Sequence, residues 1–121
     1  MQITLANLAE ATPQQVFDQV VKHMLTQNKK SSSEDGGCFY RGAENTMCAA
    51  GCLIADSEYV VKMDSMTSGT SWGDLINHNL APPAHNEFIK WLQHIHDDYE
   101  PDTWREALQE TAMNRNLEFN A

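Results

Sequence analysis

Residues 38–59, CFYRGAENTMCAAGCLIADSEY, constrain this chain more than any other stretch, because all three cysteines and the small-residue run Ala49-Ala50-Gly51 fall inside it. Small residues let one backbone approach another, and a free cysteine packs as a small hydrophobe. Asn45 or Thr46 is placed to cap a short helix here, with Cys48 and Cys52 at i and i+4 on one face. Gly51 costs such a helix about 1 kcal/mol relative to alanine, so its presence points to a tight backbone approach. The rest of the fold must therefore close around this segment.

The remaining chain reads as helices between loops. Thr12-Pro13 followed by Gln15 is a helix start, and Phe17, Val20, Val21 and Met24 at i, i+3, i+4 and i+7 predict one buried face, ending near Gln27 or Asn28. Residues 29–37, KKSSSEDGG, cannot offset ordering by burial and are expected to form a mobile loop. Cys38-Phe39-Tyr40-Arg41 is the best strand candidate; it needs a partner, either Ile3-Thr4-Leu5 or a second copy of the chain. Asp56 suits the start of a short turn carrying Tyr59, Val60 and Met63, followed by a polar loop over 64–70. Ser71 and Asp74 can cap a helix holding Trp72, Leu75 and Ile76. Beyond Pro82-Pro83, the apolar residues Phe88, Trp91, Leu92, Ile95 and Tyr99 predict a long helix over 84–99. Pro101 ends it and a last helix carries Trp104, Ala107, Leu108 and Thr111 on one side. Leu117 and Phe119 in the polar tail are available to clip the terminus to the core or to meet a partner.

These elements predict a single domain over 1–121 that is mainly α, a small orthogonal helical bundle with at most one short β-hairpin or strand pair. Its predicted core contains Tyr40, Cys48, Cys52, Leu53, Trp72, Trp91, Ile95, Trp104 and Leu108.

Charge narrows the partners. Seventeen acidic residues against eight basic ones give a formal charge of -9, a field that repels phosphate backbones and anionic lipid and attracts cationic surfaces. Direct nucleic-acid binding is not expected. No apolar run approaches a membrane span and Met1-Gln2-Ile3 opens without a secretion signal, so a cytoplasmic location with reduced thiols is expected. The acidic residues Asp97, Asp98, Glu100, Asp102, Glu106 and Glu110 are the candidate interaction residues; the bland alternative is a solvated face.

Three sets of residues could carry chemistry. Cys38, Cys48 and Cys52 with His23 or His78 could supply a tetrahedral zinc site, yet only Cys48 and Cys52 have the close spacing zinc motifs use, so buried core thiols are the preferred reading and no metal or cofactor is expected. Cys48 near a helix start could be a nucleophile if a histidine were within reach. His94, His96, Asp97 and Asp98 contain a His-Asp doublet, which resembles a metal-ligand feature of the helical HD-type phosphohydrolases; His23 and Asp102 would have to complete such a site. In helical projection the two histidines flank the apolar stripe and Asp97 lies opposite it, as on a solvated face.

At Tyr40-Arg41-Gly42, Cys48-Ala49, Gly51-Cys52-Leu53-Ile54, Asp56 and Tyr59 the sequence resembles a family of small uncharacterised proteins from bacteriophages and prophages, with a C-x-YRG segment followed by CAxGCLI, an acidic residue and a tyrosine. Ala55 departs from the proline expected after Cys-Leu-Ile. The resemblance carries no activity and implies a phage provenance, with the host cytoplasm as location. Because small, acidic, non-enzymatic phage proteins often bind and block one host protein, the leading expectation is stoichiometric binding to a host protein with a basic surface, as a host-takeover or anti-defence inhibitor that could mimic nucleic acid. Two other classes stand beside it. One is a zinc-binding or thiol- or metal-dependent enzyme; the other is a structural homo-oligomer paired through residues 38–41.

Overall fold

A computed structural model describes residues 2–31, 39–64 and 71–121. Among these, the α-helices are α1 (Pro13–Gln27), α2 (Trp72–Asn77), α3 (Asn86–Asp98) and α4 (Pro101–Asn114), joined by short 3-10 turns and irregular chain. No strand occurs among the described residues, and the architecture is a small helical bundle. Helix α1 packs against α3, α4 and the 3-10 turn Gly51–Leu53, while α3 packs against both α2 and α4.

Local chemistry sets the ends of these helices. Thr12 and Gln15 form a reciprocal capping box with Pro13 in the first turn, and Asn28 closes α1 in the left-handed conformation at φ 53°. Ser71 and Asp74 form a second box at the start of α2. Between α3 and α4 only Tyr99 and Glu100 intervene, and Pro101 opens α4 at the position where a missing N–H costs nothing.

The core gathers Val16, Phe17, Val20, Val21 and Met24 of α1 with Phe88, Ile89, Leu92 and Ile95 of α3 and Trp104 and Leu108 of α4. Phe17 and Phe88 meet at a ring separation of 6.1 Å across α1 and α3. Tyr40, Cys48, Cys52, Leu53, Trp72, Ile95, Trp104 and Leu108 are all buried, as predicted.

Trp91 is not. It is 39% exposed, and Tyr99 is 38% exposed, whereas Ile89 and His96 are buried. The inward arc of α3 is centred on Phe88, Ile89, Leu92, Ile95 and His96, rotated away from the expected stripe. His96 can enter the core because its ring stacks on Trp104 at 5.1 Å and both its nitrogens are bonded. Trp91 can leave it because its indole N–H donates to the Thr111 hydroxyl at 2.9 Å, which ties the ring to α4 at the surface.

Residues 45–53 do not form the α-helix expected of them. The chain makes turns and the short 3-10 segment Gly51–Leu53, because remote side chains take the backbone groups a helix would use. The Ala50 N–H goes to Gln93, the Cys52 carbonyl accepts from Gln19, and the Gly51 and Ile54 carbonyls accept from Arg41. The expectation that Gly51 marks a close approach holds: a Cβ there would lie 2.5 Å from the Tyr40 carbonyl oxygen.

Nor do residues 39–41 form a strand; Cys38 lies outside the described residues. The Tyr40 and Arg41 amides, which would have served a ladder, donate instead to the Asp64 carboxylate at 2.8 and 3.1 Å. Of the expected 29–37 loop, Lys29, Lys30 and Ser31 are described. Ser31 is buried and bonded to Phe39, and Lys30 donates to the Asp97 carbonyl. Residues 32–37, and 65–70 of the polar loop, lie outside the described residues.

Candidate functional site

Helix α1 carries a row of polar residues that fastens the irregular chain to the bundle. The Gln19 side chain pairs with both backbone groups of Ile3, accepting from its N–H at 2.8 Å and donating to its carbonyl at 2.9 Å. Gln27 pairs in the same two-point way with Met47, and Gln14 with Glu118 near the C-terminus. His23 Nε2 donates to the Met47 carbonyl at 2.7 Å. Each glutamine amide thus stands in for one peptide unit of a strand partner. A cleft of about 780 Å³ along α1 is lined by Gln15, Gln19, His23, Gln27 and Met47 among others, and the side chains of Gln15, Gln19, His23 and Gln27 are already committed to backbone atoms.

A second polar hub centres on Arg41 and Asp64. The Arg41 guanidinium donates to the carbonyls of Tyr40, Gly51 and Ile54 and to Asp56, and lies 5.1 Å over the Tyr59 ring. Asp64 accepts from the Tyr59 hydroxyl at 2.6 Å in addition to the two amides above. These contacts fold residues 39–64 into one unit. Sequence reasoning passed over Gln19, Gln27, Asp64 and the wiring of Arg41.

The thiols are built into that unit. Cys48 Sγ accepts the Gly51 N–H at 3.2 Å, and Cys52 Sγ donates to the Ala49 carbonyl at 3.1 Å. Burial pushes the Cys48 thiol well up, and that of Cys52 to about 12, so both are protonated at neutral pH. A thiolate nucleophile or metal ligand needs the opposite shift. Among the described residues no three His, Cys, Asp or Glu side chains converge on a point that could hold a metal ion. Burial lowers the pKa of His23, which bonds Met47, while His78 Nδ1 lies 2.9 Å from the Asp74 carbonyl on the surface.

Around His96 the structure brings together Ser31, His96 and Asp97, the composition of a hydrolytic triad without its wiring. His96 Nδ1 faces the Asp97 carboxylate at 2.8 Å, but Nε2 accepts the Ser31 backbone N–H at 3.3 Å, and the Ser31 hydroxyl donates to the Phe39 carbonyl. Both Ser31 and His96 are fully buried. Among the described residues the hydroxyl has no base to take its proton, and the serine is buried. Asp102 lies exposed on α4, so it completes no site with the His96-Asp97 doublet.

The expected acidic surface divides. Asp97 turns inward and accepts from Gln93 as well as facing His96. Asp98 is exposed and paired with His94, and Glu100 lies 3.7 Å from Lys30. Asp102, Glu106 and Glu110 are exposed on α4 and in no ion pair among the described residues. The residues outside the description carry no lysine or arginine. Lys29, Arg41 and Lys90 are each paired elsewhere, with Glu44, Asp56 and Glu87. Arg105 and Arg115 lie over the rings of Phe119 and Phe88.

Beside this ridge runs an aromatic row on α3. The His94 ring lies 5.2 Å from Trp91 and 6.0 Å from Tyr99, edge-on to the latter. In projection at about 100° per residue, Trp91, His94 and Asp98 occupy one strip of α3. In the same projection Glu110 lies about 100° and Glu106 about 140° around α4 from Thr111, the residue on which Trp91 docks.

Comparison of the chain with known protein families, with curated proteins and with solved structures finds no match. Among the described residues no helix is long and apolar enough to cross a membrane.

Proposed function

We propose that the protein acts by stoichiometric binding, presenting the carboxylates of the α3–α4 edge to a basic surface on a larger protein. The observation that carries this reading is the unpaired ridge of Asp102, Glu106 and Glu110 on α4, in a chain whose formal charge is -9. Lys29, Arg41 and Lys90 are paired with other carboxylates and Arg105 and Arg115 lie over aromatic rings, while Lys22 and Lys62 enter no ion pair among the described residues. Such a surface raises the rate of encounter with a cationic partner and weakens with salt.

On the resemblance to small bacteriophage proteins, the partner is a host protein and the outcome of binding is its inhibition in the host cytoplasm. The zinc- or thiol-dependent alternative has less behind it, since Cys48 and Cys52 are buried and protonated.

Capture from host lysate at low salt, with the purified protein and a Glu106→Lys/Glu110→Lys variant side by side, tests the proposal. One defined partner retained in equimolar amount by the parent protein, lost on the variant and released by salt, is the expected result. Equal retention by both, or none by either, overturns it.

A further inference from the structure

Each of the chain's three arginines lies over an aromatic ring: Arg41 over Tyr59, Arg105 over Phe119 and Arg115 over Phe88, the last at 4.6 Å. The row of Trp91, His94 and Tyr99 is the conspicuous aromatic surface without such a cover. Trp91 and Tyr99 are more exposed than any other aromatic side chain among the described hydrophobic residues. The row is also held in place before anything binds. The Trp91 N–H is fixed to Thr111, and His94 is bonded to Asp98. A rigid aromatic anchor loses little side-chain entropy on association, and tryptophan and tyrosine are the residues that most often dominate binding energy.

Resting on the reading above, we propose that this row is the specificity element of the acidic surface and takes an arginine-bearing segment of the partner protein. Guanidinium planes of that segment stack on Trp91 and on Tyr99, which stand on either side of His94, and the carboxylate of Asp98, on the same strip of α3, accepts N–H groups there, with Glu110 and Glu106 further round α4 adding to the negative field. Charge complementarity selects a basic segment over an acidic or neutral one. The aromatic faces then select arginine over lysine, because a planar, weakly hydrated guanidinium stacks and forks where an ammonium is a strongly hydrated point charge.

Octa-arginine and octa-lysine peptides of equal charge test this at low and high salt, by calorimetry and by tryptophan emission. Trp72 and Trp104 are buried, so Trp91 is the indole open to an aqueous quencher. Octa-arginine should bind roughly tenfold more tightly than octa-lysine, and should shield Trp91 from acrylamide. A Trp91→Leu/Tyr99→Leu variant should bind the two peptides alike, with the emission of Trp72 and Trp104 reporting that its core is intact. Should that variant fail to fold, the quenching of Trp91 in the parent protein decides alone.

Equal binding of the two peptides with Trp91 unshielded overturns the aromatic element and leaves the acidic surface standing. No binding of either peptide at low salt removes the acidic surface itself, and this inference with it. An arginine preference that survives the double substitution places the contact elsewhere and overturns the assignment.

Discussion

Gly51 and His23 show how single residues are fixed by what surrounds them. A methyl group at Gly51 would meet main chain, 2.5 Å from the Tyr40 carbonyl oxygen and 3.2 Å from its Cα, so neither neighbour can move as a side-chain tip would. Gly51→Ala should therefore destabilise the protein by about 1–3 kcal/mol, measured by denaturant unfolding; an unchanged midpoint would show that residues 39–41 shift freely. His23 is held neutral, its pKa lowered from the ordinary 6.5 by burial first, against the opposing pull of the Met47 hydrogen bond. The unfolded chain takes up a proton near 6.5 and the native state does so only lower. The stabilisation from burying neutral imidazole is thus fully present above that pH, and is lost as the pH falls from there through the lower native pKa. The slope cannot exceed about 1.4 kcal/mol per pH unit, one proton's worth. His23→Gln keeps a donor for the Met47 carbonyl and removes the titration. Its unfolding free energy should fall less than the parent's between about pH 7 and pH 5; parallel curves would refute the assignment.

Among the elements, α1 is the mast to which the irregular chain is tied, and its glutamines are the ties. Gln19 and Gln27 are separated by about 12 Å along the helix axis and share no partner, so their effects should add within about 0.5 kcal/mol. Gln27→Leu leaves the Met47 N–H without its acceptor, and Gln19→Leu does the same at Ile3. Each should cost about 1–2 kcal/mol and speed amide exchange at its own partner, Met47 in one case and Ile3 in the other. Exchange that rises equally at both sites would mean global loosening and not the loss of local ties. None of this was legible beforehand. The capping boxes at Thr12 and Ser71 could be read because both partners lie within three residues. Gln19 and Ile3 are sixteen apart, and Gln14 and Glu118 are 104 apart. Such a pair leaves no periodic trace in the sequence. The long helix α3 was legible in extent but not in rotation. Trp91 and Ile89 are both apolar, and taking the larger one as core set the stripe one strip away from the truth; counting Ile89 would have turned it toward His96. The helix expected over 45–53 failed for a third reason: its backbone groups were bid for by Arg41, Gln19 and Gln93, all outside the segment.

At the scale of the whole molecule, charge sets stability against association. Of the six carboxylates between residues 97 and 110, those of Asp102, Glu106 and Glu110 are in no ion pair among the described residues, and the one lysine or arginine within that stretch, Arg105, lies over Phe119. Like charges held on one edge repel, and the repulsion is screened over about 8–10 Å at ordinary ionic strength. Salt should therefore raise the melting temperature of the isolated protein. Replacing Glu106 and Glu110 by glutamine should raise it at low salt and flatten its salt dependence, because the variant has less repulsion left to screen. The same substitutions should weaken association with a basic partner, and the two effects must be read together. A surface that gains stability but loses binding when neutralised holds its charge at a cost to the fold, as sites kept for function do. A pair of glutamines that changes neither the melting temperature nor the salt slope would mean that these carboxylates are solvated too well to interact. The α4 ridge would then be an ordinary wet helix face, and the charge of the chain would carry no information about its partner.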